Sequence, residues 1–148
     1  GIDQTSNFFT AEIDNVARPS AELARRFGDR ARETCLSTKQ IADLAKRAGM
    51  QVALVGAAAK AITMLQVAKL DIDRVFDEAP LKVGRYIPGT DLLIEPLNAI
   101  SEIITPTLYI IGAWNFHSEL ADKINGLRNY DHPGGDVFSC YFPRLMLF

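Results

Sequence analysis

The sequence has few of the cysteines and histidines that form metal centres and disulfide frameworks, and it has no long apolar run. It contains two cysteines and two histidines in 148 residues. Cys35 and Cys140 lie far apart in no metal-ligand spacing, so neither a metal site nor a disulfide framework is expected. A reducing, cytoplasmic location is therefore the simpler expectation. No apolar run approaches the roughly 20 residues of a membrane helix, and the N-terminus does not resemble a signal peptide.

The sequence also has almost no excess of positive or negative charge. The formal net charge is −2, so the sequence has no strongly basic surface for nucleic acid or an anionic membrane. Apolar residues make up 48% and charged residues 23% of the chain, a balance typical of globular domains. The length suits one domain that buries a core of its own.

The N-terminal part of the sequence is predicted to be an irregular segment followed by a long helix. Residues 1–19 are polar and irregular, and we interpret them as a linker or tail with Phe8, Phe9 and Ile13 as docking points. Residues 20–148 are predicted to form one domain. Its first helix is predicted over residues 20–48, with a bend or break at Gly28 or at Ser37 and Thr38. The apolar stripe of this helix is expected to contain Leu23, Phe27, Ala31, Ile41, Leu44, Ala45 and Ala48.

Strands then alternate with helices along the chain. Short apolar runs typical of buried strands are followed by helical periodicity. This order predicts an α/β fold: a Rossmann-like three-layer domain with a mainly parallel sheet and an N-terminal helical lead-in. The predicted strands are 51–55, 72–77, 91–95, 108–112 and 136–141, and the predicted helices are 57–69, 96–103 and 116–129.

The turn after the first strand is the first candidate site. Ligands of such sheets bind outside the carboxyl ends of the strands. Gly56, Ala57 and Ala58 let a ligand approach the backbone, and the following helix N-terminus attracts phosphate. Lys60 adds a full charge, so these residues are predicted to receive a diphosphate. The turn lacks the repeated glycines of a dinucleotide fingerprint and the Gly-Lys-Ser/Thr of a P-loop. A plain turn with Lys60 in solvent is the alternative.

An acidic residue and a stiff loop form the second candidate. Asp77 ends the second strand, where a carboxylate commonly accepts ribose hydroxyls. It is predicted to bind a ribose or a base N–H, and the alternative is that it caps the following loop. Proline and glycine stiffen residues 78–90, and Lys82 and Tyr86 are predicted to close over a nucleotide. A solvated excursion is the alternative for this loop. Its other candidate binding residues are Gly84, Pro88, Gly89 and Thr90.

The third candidate site follows the strand 108–112. Trp114 and Asn115 can stack on and hydrogen-bond a ligand ring, and they are predicted to line a binding site together with Phe116. In the alternative, Trp114 is core and Asn115 caps the next helix. His117 suggests a general base, but a lone histidine in a first helical turn is more often a surface residue. We assign no catalytic residue and no metal ligand.

These segments resemble the C-terminal domain of sugar C-methyltransferases, enzymes of deoxysugar biosynthesis. The resemblance covers about residues 20–148. Its most specific part is an Asp-x-x-Pro-x-Lys-x-Gly string beginning at Asp77, followed in order by Pro-Gly-Thr and Trp-Asn-Phe. Ala61 departs from the family, which usually has glycine after the lysine. The similar stretches are 55–60, 77–90 and 113–116, with Glu119.

The resemblance implies an enzyme in three parts: a small zinc-binding region, a domain that binds S-adenosylmethionine, and this end domain, which holds a nucleotide-diphosphate keto-deoxysugar. In that enzyme a proton leaves the carbon next to the ketone, and the enolate takes the donor methyl group. Neither the zinc cysteines nor the donor-binding part is found in this sequence, so the sequence is expected to be either an excised piece of such an enzyme or a free-standing relative. By itself the chain is expected to bind no cofactor and to have no catalytic activity. Its expected partners are a methyltransferase domain or subunit that binds S-adenosylmethionine, or a second copy of the chain in a homodimer.

Two other classes of function are open. An NAD(P)-binding domain of an oxidoreductase would use the strand–glycine–helix turn and Asp77, although the single glycine counts against it. A non-catalytic interaction module would use the long amphipathic helix and the apolar tail, residues 145–148. That tail is expected to be buried, in a partner under this hypothesis.

Overall fold

The computed structural model of the chain describes residues 20–128, 135–142 and 144–148. Contacts divide the chain into two compact units, residues 1–32 and residues 33–148. The prediction of a linker or tail with docking aromatics falls on residues 1–19 and lies outside the described residues.

The first helix, α1, runs from Ala21 to Arg47 without interruption. The N–H of Leu23 donates to Oγ of Ser20 at 3.1 Å, so Ser20 is its N-cap. The predicted helix is confirmed, and the break that was one alternative at Gly28 or at Ser37 and Thr38 is wrong. Thr38 fits inside the helix because its hydroxyl donates to the carbonyl of Thr34 at 2.8 Å.

The apolar stripe of α1 differs in part from the predicted one. In the second unit Leu44 is 60% exposed, because it lies about 100° around the helix from Ala45. Small residues face the core there, which lets the helix lie close. In the first unit Leu23 and Phe27 are 57% and 75% exposed, and no described residue covers them. The buried residues of α1 are Thr38, Ala42 and Ala45.

A six-stranded sheet forms the centre of the second unit, in the order β3-β2-β1-β4-β5-β6. All neighbouring strands are parallel except β6, which runs antiparallel to β5. This topology confirms the predicted α/β, Rossmann-like fold with a helical lead-in. The strands are β1 (Gln51–Val55), β2 (Arg74–Asp77), β3 (Ile94–Pro96), β4 (Thr107–Ile111), β5 (Val137–Cys140) and β6 (Met146–Leu147).

Helical segments connect the strands. The last position before the first 3-10 helix is Pro96, which cannot donate a backbone N–H and so begins a helix without loss. Three of these segments lie within a few residues of their predicted positions, whereas the second 3-10 helix was not predicted. The segments are α2 (Ala59–Ala68), a 3-10 helix (Leu97–Glu102), a second 3-10 helix (Trp114–Phe116) and α3 (His117–Leu127).

Two apolar clusters cover the two faces of the sheet. Side chains alternate along β1, so Val52 and Leu54 face the cluster that includes Leu65 of α2. Ala53 and Val55 face the cluster that includes Ile124 of α3. Because helices cover both faces, every residue of β4 is buried, as is typical of parallel strands.

The apolar tail is not fully buried, which corrects its expected burial. Leu147 and Phe148 are 55% and 48% exposed. The backbone N–H and carbonyl of Phe148 bond to the carbonyl and N–H of Phe138, each at 3.0 Å. The tail therefore completes the sheet edge with its backbone, while an edge strand leaves part of its side chains open.

Candidate functional site

Two glycines bring the ends of β1 and β4 together at the point where the strand order reverses, the usual ligand position in such sheets. The N–H of Gly112 donates to the carbonyl of Val55 at 2.7 Å. Gly56 has a φ of +88°, and a Cβ there would lie 2.8 Å from Cβ of Ala113. The crossing therefore requires glycine at position 56.

A cleft of about 340 Å³ opens beside this crossing, and we call it the cationic cleft. The N-cap residue of α2 is Ala58, and no side chain caps the helix, so its first N–H groups have no partner within the helix. Nζ of Lys60 lies 5.2 Å from the ring centroid of Trp114, in cation–π range. The cationic cleft is lined by Ala58, Ala59, Lys60, Gly112, Ala113, Trp114, Asn115 and Phe116.

Two of the backbone groups predicted to hold phosphate are already bonded. The N–H of Gly56 donates to the carbonyl of Phe76 at 2.8 Å. The N–H of Ala57 donates to Oδ2 of Asp77 at 2.7 Å. The donors of this turn that remain for an anion therefore begin at Ala58, two residues closer to Lys60 than predicted.

A second cleft, of about 260 Å³, is also lined by Phe116, and we call it the carboxylate cleft. Asp77, Glu78 and Glu119 line it together with Lys82. The two clefts adjoin, because three residues line both of them. The shared residues are Ala58, Ala113 and Phe116.

A lysine holds two of these carboxylates in place. Nζ of Lys123 lies 2.9 Å from Oε1 of Glu78 and 3.0 Å from Oε1 of Glu119. The hydrogen bond to Glu78, and then that to Glu119, raises the pKa of Lys123. The carboxylates of Glu78 and Glu119 thus offer acceptor oxygens to the cleft, while Lys123, which does not line the cleft, partly neutralises their negative charge.

Asp77 connects the turn after β1 with the loop after β2. The residue is 7% exposed. Oδ1 accepts the N–H of Ala79 at 2.8 Å, and Oδ2 accepts both the N–H of Ala57 and Nζ of Lys82 at 2.7 and 2.9 Å. Burial alone would raise the pKa of Asp77, but the bonds from Ala79, Lys82 and Ala57 together lower it below 3.8. Asp77 caps the following loop, as the alternative interpretation proposed, and its contact with a ribose stays a prediction.

Replacing Asp77 with asparagine is expected to destabilise the domain by about 1–3 kcal/mol at pH 7. Both carboxylate oxygens of Asp77 accept hydrogen bonds, from Ala57, Ala79 and Lys82. Asparagine puts an NH₂ group, which can only donate, in place of one of these acceptors. The lowered pKa means that the unfolded chain takes up the proton first. The stabilisation is therefore present above pH 3.8 and is lost as the pH falls through the lower folded-state pKa of Asp77. Urea unfolding from pH 7 to 3 should show the gap between wild type and variant narrowing below about pH 4. Asp91→Asn, at an exposed position, is the control, and a gap independent of pH would contradict the assignment.

The aromatic segment lines the cationic cleft at the surface. Trp114 is half-buried and its ring centroid lies 4.3 Å from that of Phe142, so Trp114 is not a core residue. The N-cap of α3 is Phe116, with no side-chain cap, so Asn115 does not cap this helix. Asn115 and Phe116 are exposed. Nδ1 of His117 lies 2.9 Å from the carbonyl of Trp114, a contact that fixes the turn.

Most of the loop 78–90 does not reach either cleft. Lys82 lines the carboxylate cleft, whereas Tyr86 is 63% exposed and the carbonyl of Pro88 accepts Nε2 of Gln66 at 2.8 Å. The loop is anchored by Ile87, which is fully buried. The closure of Lys82 and Tyr86 over a nucleotide stays a prediction. The predicted residues that line neither cleft are Ala57, Gly84, Tyr86, Pro88, Gly89 and Thr90.

Sequence reasoning named neither Glu78 nor Glu119 as a binding residue. Both follow from the rule that located Asp77: Glu78 is the next residue after β2, and Glu119 lies in the first turn of the helix after β4. No local sequence feature marks Lys123 as part of the site, because only the fold brings it close to Glu78, which is 45 residues away in sequence.

A larger cavity, of about 790 Å³, lies away from the carboxyl ends of β1 and β2, between α3 and the C-terminal strand. It is lined by residues such as Asp122, Asn125 and Arg144, and it contains none of the predicted binding residues. Over the described ranges, no group of three His, Cys, Asp or Glu side chains is arranged to hold a metal ion.

The fold and the position of the clefts define the class of protein: an α/β domain of Rossmann-like topology with a candidate ligand site at its strand switch point. The model of a family described as the C-methyltransferase C-terminal domain matches residues 4–139. The chain therefore belongs to this family. A comparison with curated proteins finds no match. In the part of the chain described, no helix has the length and apolar character needed to cross a membrane.

Proposed function

We propose that this chain binds the nucleotide-diphosphate sugar substrate of a C-methyltransferase that uses S-adenosylmethionine. One observation carries the proposal: a cleft with a helix N-terminus and a lysine adjoins a cleft with carboxylates, and Phe116 lines both. A diphosphate flanked by hydroxyl-bearing rings is the ligand class that matches both chemistries.

The diphosphate lies in the cationic cleft. Helix N-termini bind phosphate through their free N–H groups and positive dipole end, and α2 offers such an end at Ala58. Lys60 supplies a full charge beside it. The ring of Trp114, already within 5.2 Å of Nζ of Lys60, stacks on a ring of the ligand.

The hydroxyl groups lie in the carboxylate cleft. Carboxylates accept hydrogen bonds and repel phosphate, so they set the direction of the ligand. Glu78 and Glu119 are exposed enough, at 50% and 60% of their side chains, to meet a sugar or ribose hydroxyl. Asp77 is less suited to this role, because its oxygens already bind Ala57, Ala79 and Lys82.

The methyl donor binds in another domain or subunit. S-adenosylmethionine carries a sulfonium cation, and the cationic cleft presents Lys60 and a positive helix end, so its donor group does not fit there. The contribution of this chain is to hold and orient the sugar. Proton removal next to the ketone and methyl transfer then require groups from the donor-binding part.

A thermal-shift titration of the chain tests the proposal. The ligands are UDP, dTDP, dTDP-glucose, NAD and S-adenosylmethionine. A ligand that binds only the folded state adds about 2.7 kcal/mol of stability at a hundred times its Kd. We expect nucleoside diphosphates and their sugars to raise Tm. A shift with NAD instead would favour an oxidoreductase domain, and no shift with any ligand at millimolar concentration would contradict binding by this chain alone.

Replacing Lys60 with glutamine is expected to weaken nucleoside-diphosphate binding by roughly 1–2 kcal/mol, because a charge-assisted hydrogen bond is lost. Isothermal titration calorimetry measures this loss directly. Arg47→Gln removes an equal charge at an exposed position at the far end of α1, and it should leave Kd unchanged. Equal weakening by both substitutions would indicate attraction to overall charge rather than a site at Lys60.

A further inference from the structure

The segment after β5 lies beside the segment after β4, because the two strands are parallel neighbours. Ile111 pairs with Cys140 in their register, so both strands end at the same edge of the sheet. Trp114 follows β4 and Phe142 follows β5, and their ring centroids lie 4.3 Å apart with planes tilted by 47°. At this separation the two rings are in contact. Phe142 thus supports a ring of the cationic cleft without lining the cleft itself.

Two contacts hold the segment that carries Phe142. Sγ of Cys140 donates to the carbonyl of Phe142 at 3.3 Å. Tyr141 is 7% exposed, and its hydroxyl donates to the carbonyl of Gly112 at 3.4 Å. Burial raises the pKa of Tyr141 to about 12, so this hydroxyl keeps its proton at neutral pH. The segment is therefore tied both to its own strand and to Gly112, which lines the cationic cleft.

The ring of Trp114 in turn contacts a cation. Nζ of Lys60 lies 5.2 Å from the centroid of the ring, within the distance of a cation–π contact. Among the described residues, Trp114 is the one side-chain partner of the Lys60 ammonium. A lysine side chain has several freely rotating bonds, so this contact restricts where its charge lies.

We propose that Phe142 is a positioning residue of the cationic cleft: it orients the Trp114 ring, and the ring holds the Lys60 ammonium at the cleft. The inference rests on the proposed function, because it concerns the lysine that is proposed to meet the diphosphate. Phe142 does not line the cleft, so it acts through the ring. It limits the conformations of a ring and a cation before the ligand arrives, which lowers the cost of ordering them on binding.

The exposure of Phe142 separates this role from a purely structural one. Phe142 is 47% exposed and belongs to neither apolar cluster of the sheet. A residue that only fills the core affects unfolding more than binding, whereas a positioning residue affects binding in particular. Leu147 is exposed to a similar extent, at 55%, and lines neither ligand cleft. Leu147→Ala is therefore the matched control for Phe142→Ala.

Spectroscopy tests the contact without ligand, because Trp114 is the only tryptophan of the chain. Phe142→Ala should shift the fluorescence of Trp114 to longer wavelength and increase its quenching by acrylamide, since the ring loses its cover. Phe142→Tyr keeps an aromatic ring and should restore the wild-type spectrum. In carbon–proton NMR spectra the ε-methylene of Lys60 should move downfield in Phe142→Ala, because it leaves the shielding face of the ring. Unchanged spectra in Phe142→Ala would overturn the positioning role.

Calorimetric titration with dTDP and UDP tests the consequence for binding. Phe142→Ala should weaken binding roughly two- to fivefold, the size of a cation–π contact at an exposed site. Phe142→Tyr and Leu147→Ala should bind as wild type does. In the Trp114→Leu background, Phe142→Ala should weaken binding no further, because its effect passes through the ring. Equal losses in both backgrounds contradict the inference.

The two arms separate this inference from the proposed function. If wild type binds neither diphosphate, the proposed function fails, and the ligand-free spectra alone decide whether Phe142 positions Trp114 and Lys60. If wild type binds and Phe142→Ala binds equally well, the proposed function stands and the positioning role is wrong.

Discussion

Replacing Arg128 with alanine is expected to lower the free energy of unfolding by about 3–5 kcal/mol, because it leaves a buried carboxylate without its cation. The side chains of Arg128 and Asp136 are 4% and 1% exposed, and Nε lies 2.8 Å from Oδ2. The guanidinium also donates to the carbonyls of Ile103 and Thr105. Oδ1 of Asp136 accepts the N–H of Thr107 at 2.9 Å. The pair therefore ties the segments that enter β4 and β5 to the end of α3.

Urea unfolding at pH 7 measures this loss. The control is Arg25→Ala, which removes a pair with Glu22 at a similar distance of 2.8 Å but with side chains 65% and 58% exposed. Water screens that pair, so a change below about 0.5 kcal/mol is expected. A loss below about 1 kcal/mol for Arg128→Ala would show that Asp136 finds other partners or water. Replacing Arg128 and Asp136 together with leucine should cost less than Arg128→Ala alone.

The strands and the α/β fold were predictable because their signals are local. The run Gln51–Val55 is apolar, ends at Gly56 and coincides with β1. A strand buried on both faces needs little else from its sequence. The partners of α1 were less predictable, since helical spacing shows which residues share a side but not which side meets the core. Leu44 and Ala45 are neighbours in sequence, and only Ala45 is buried.

The location of the site could be predicted from the sequence, but the hydrogen bonds within it could not. The rule that ligands bind at the carboxyl ends of parallel strands led to Gly56, Asp77 and Trp114, and the structure brings all three to the two clefts. The rule does not show which polar groups are already satisfied. Asp77 and the N–H of Ala57 bond to each other across 20 residues, a long-range pairing that no local pattern contains.

Replacing Gly112 with alanine is expected to destabilise the second unit by roughly 3 kcal/mol, because an added methyl group has no room there. Its Cβ would lie 2.5 Å from Cβ of Ala61 and still closer to the carbonyl oxygen of Gly56. Backbone and a helix side chain cannot both move without opening the junction of β1, β4 and α2. Gly126→Ala is the control: nothing lies within 4 Å of its added Cβ, and alanine within α3 should stabilise by about 0.5–1 kcal/mol.

Gly112→Ala is expected to affect ligand binding as well as stability. Gly112 lines the cationic cleft, and Ala61 lies in the first turn of α2, so relief of the clash should move the helix N-terminus that is proposed to hold phosphate. Gly112→Ala should therefore weaken nucleoside-diphosphate binding as well as stability. Ala61→Gly removes one of the two clashing atoms, and glycine there costs about 1 kcal/mol in helix propensity. The double variant should be more stable than the sum of the two losses predicts, by about 1 kcal/mol in a double-mutant cycle. Strict additivity would show that the clash with the Gly56 carbonyl alone determines the effect.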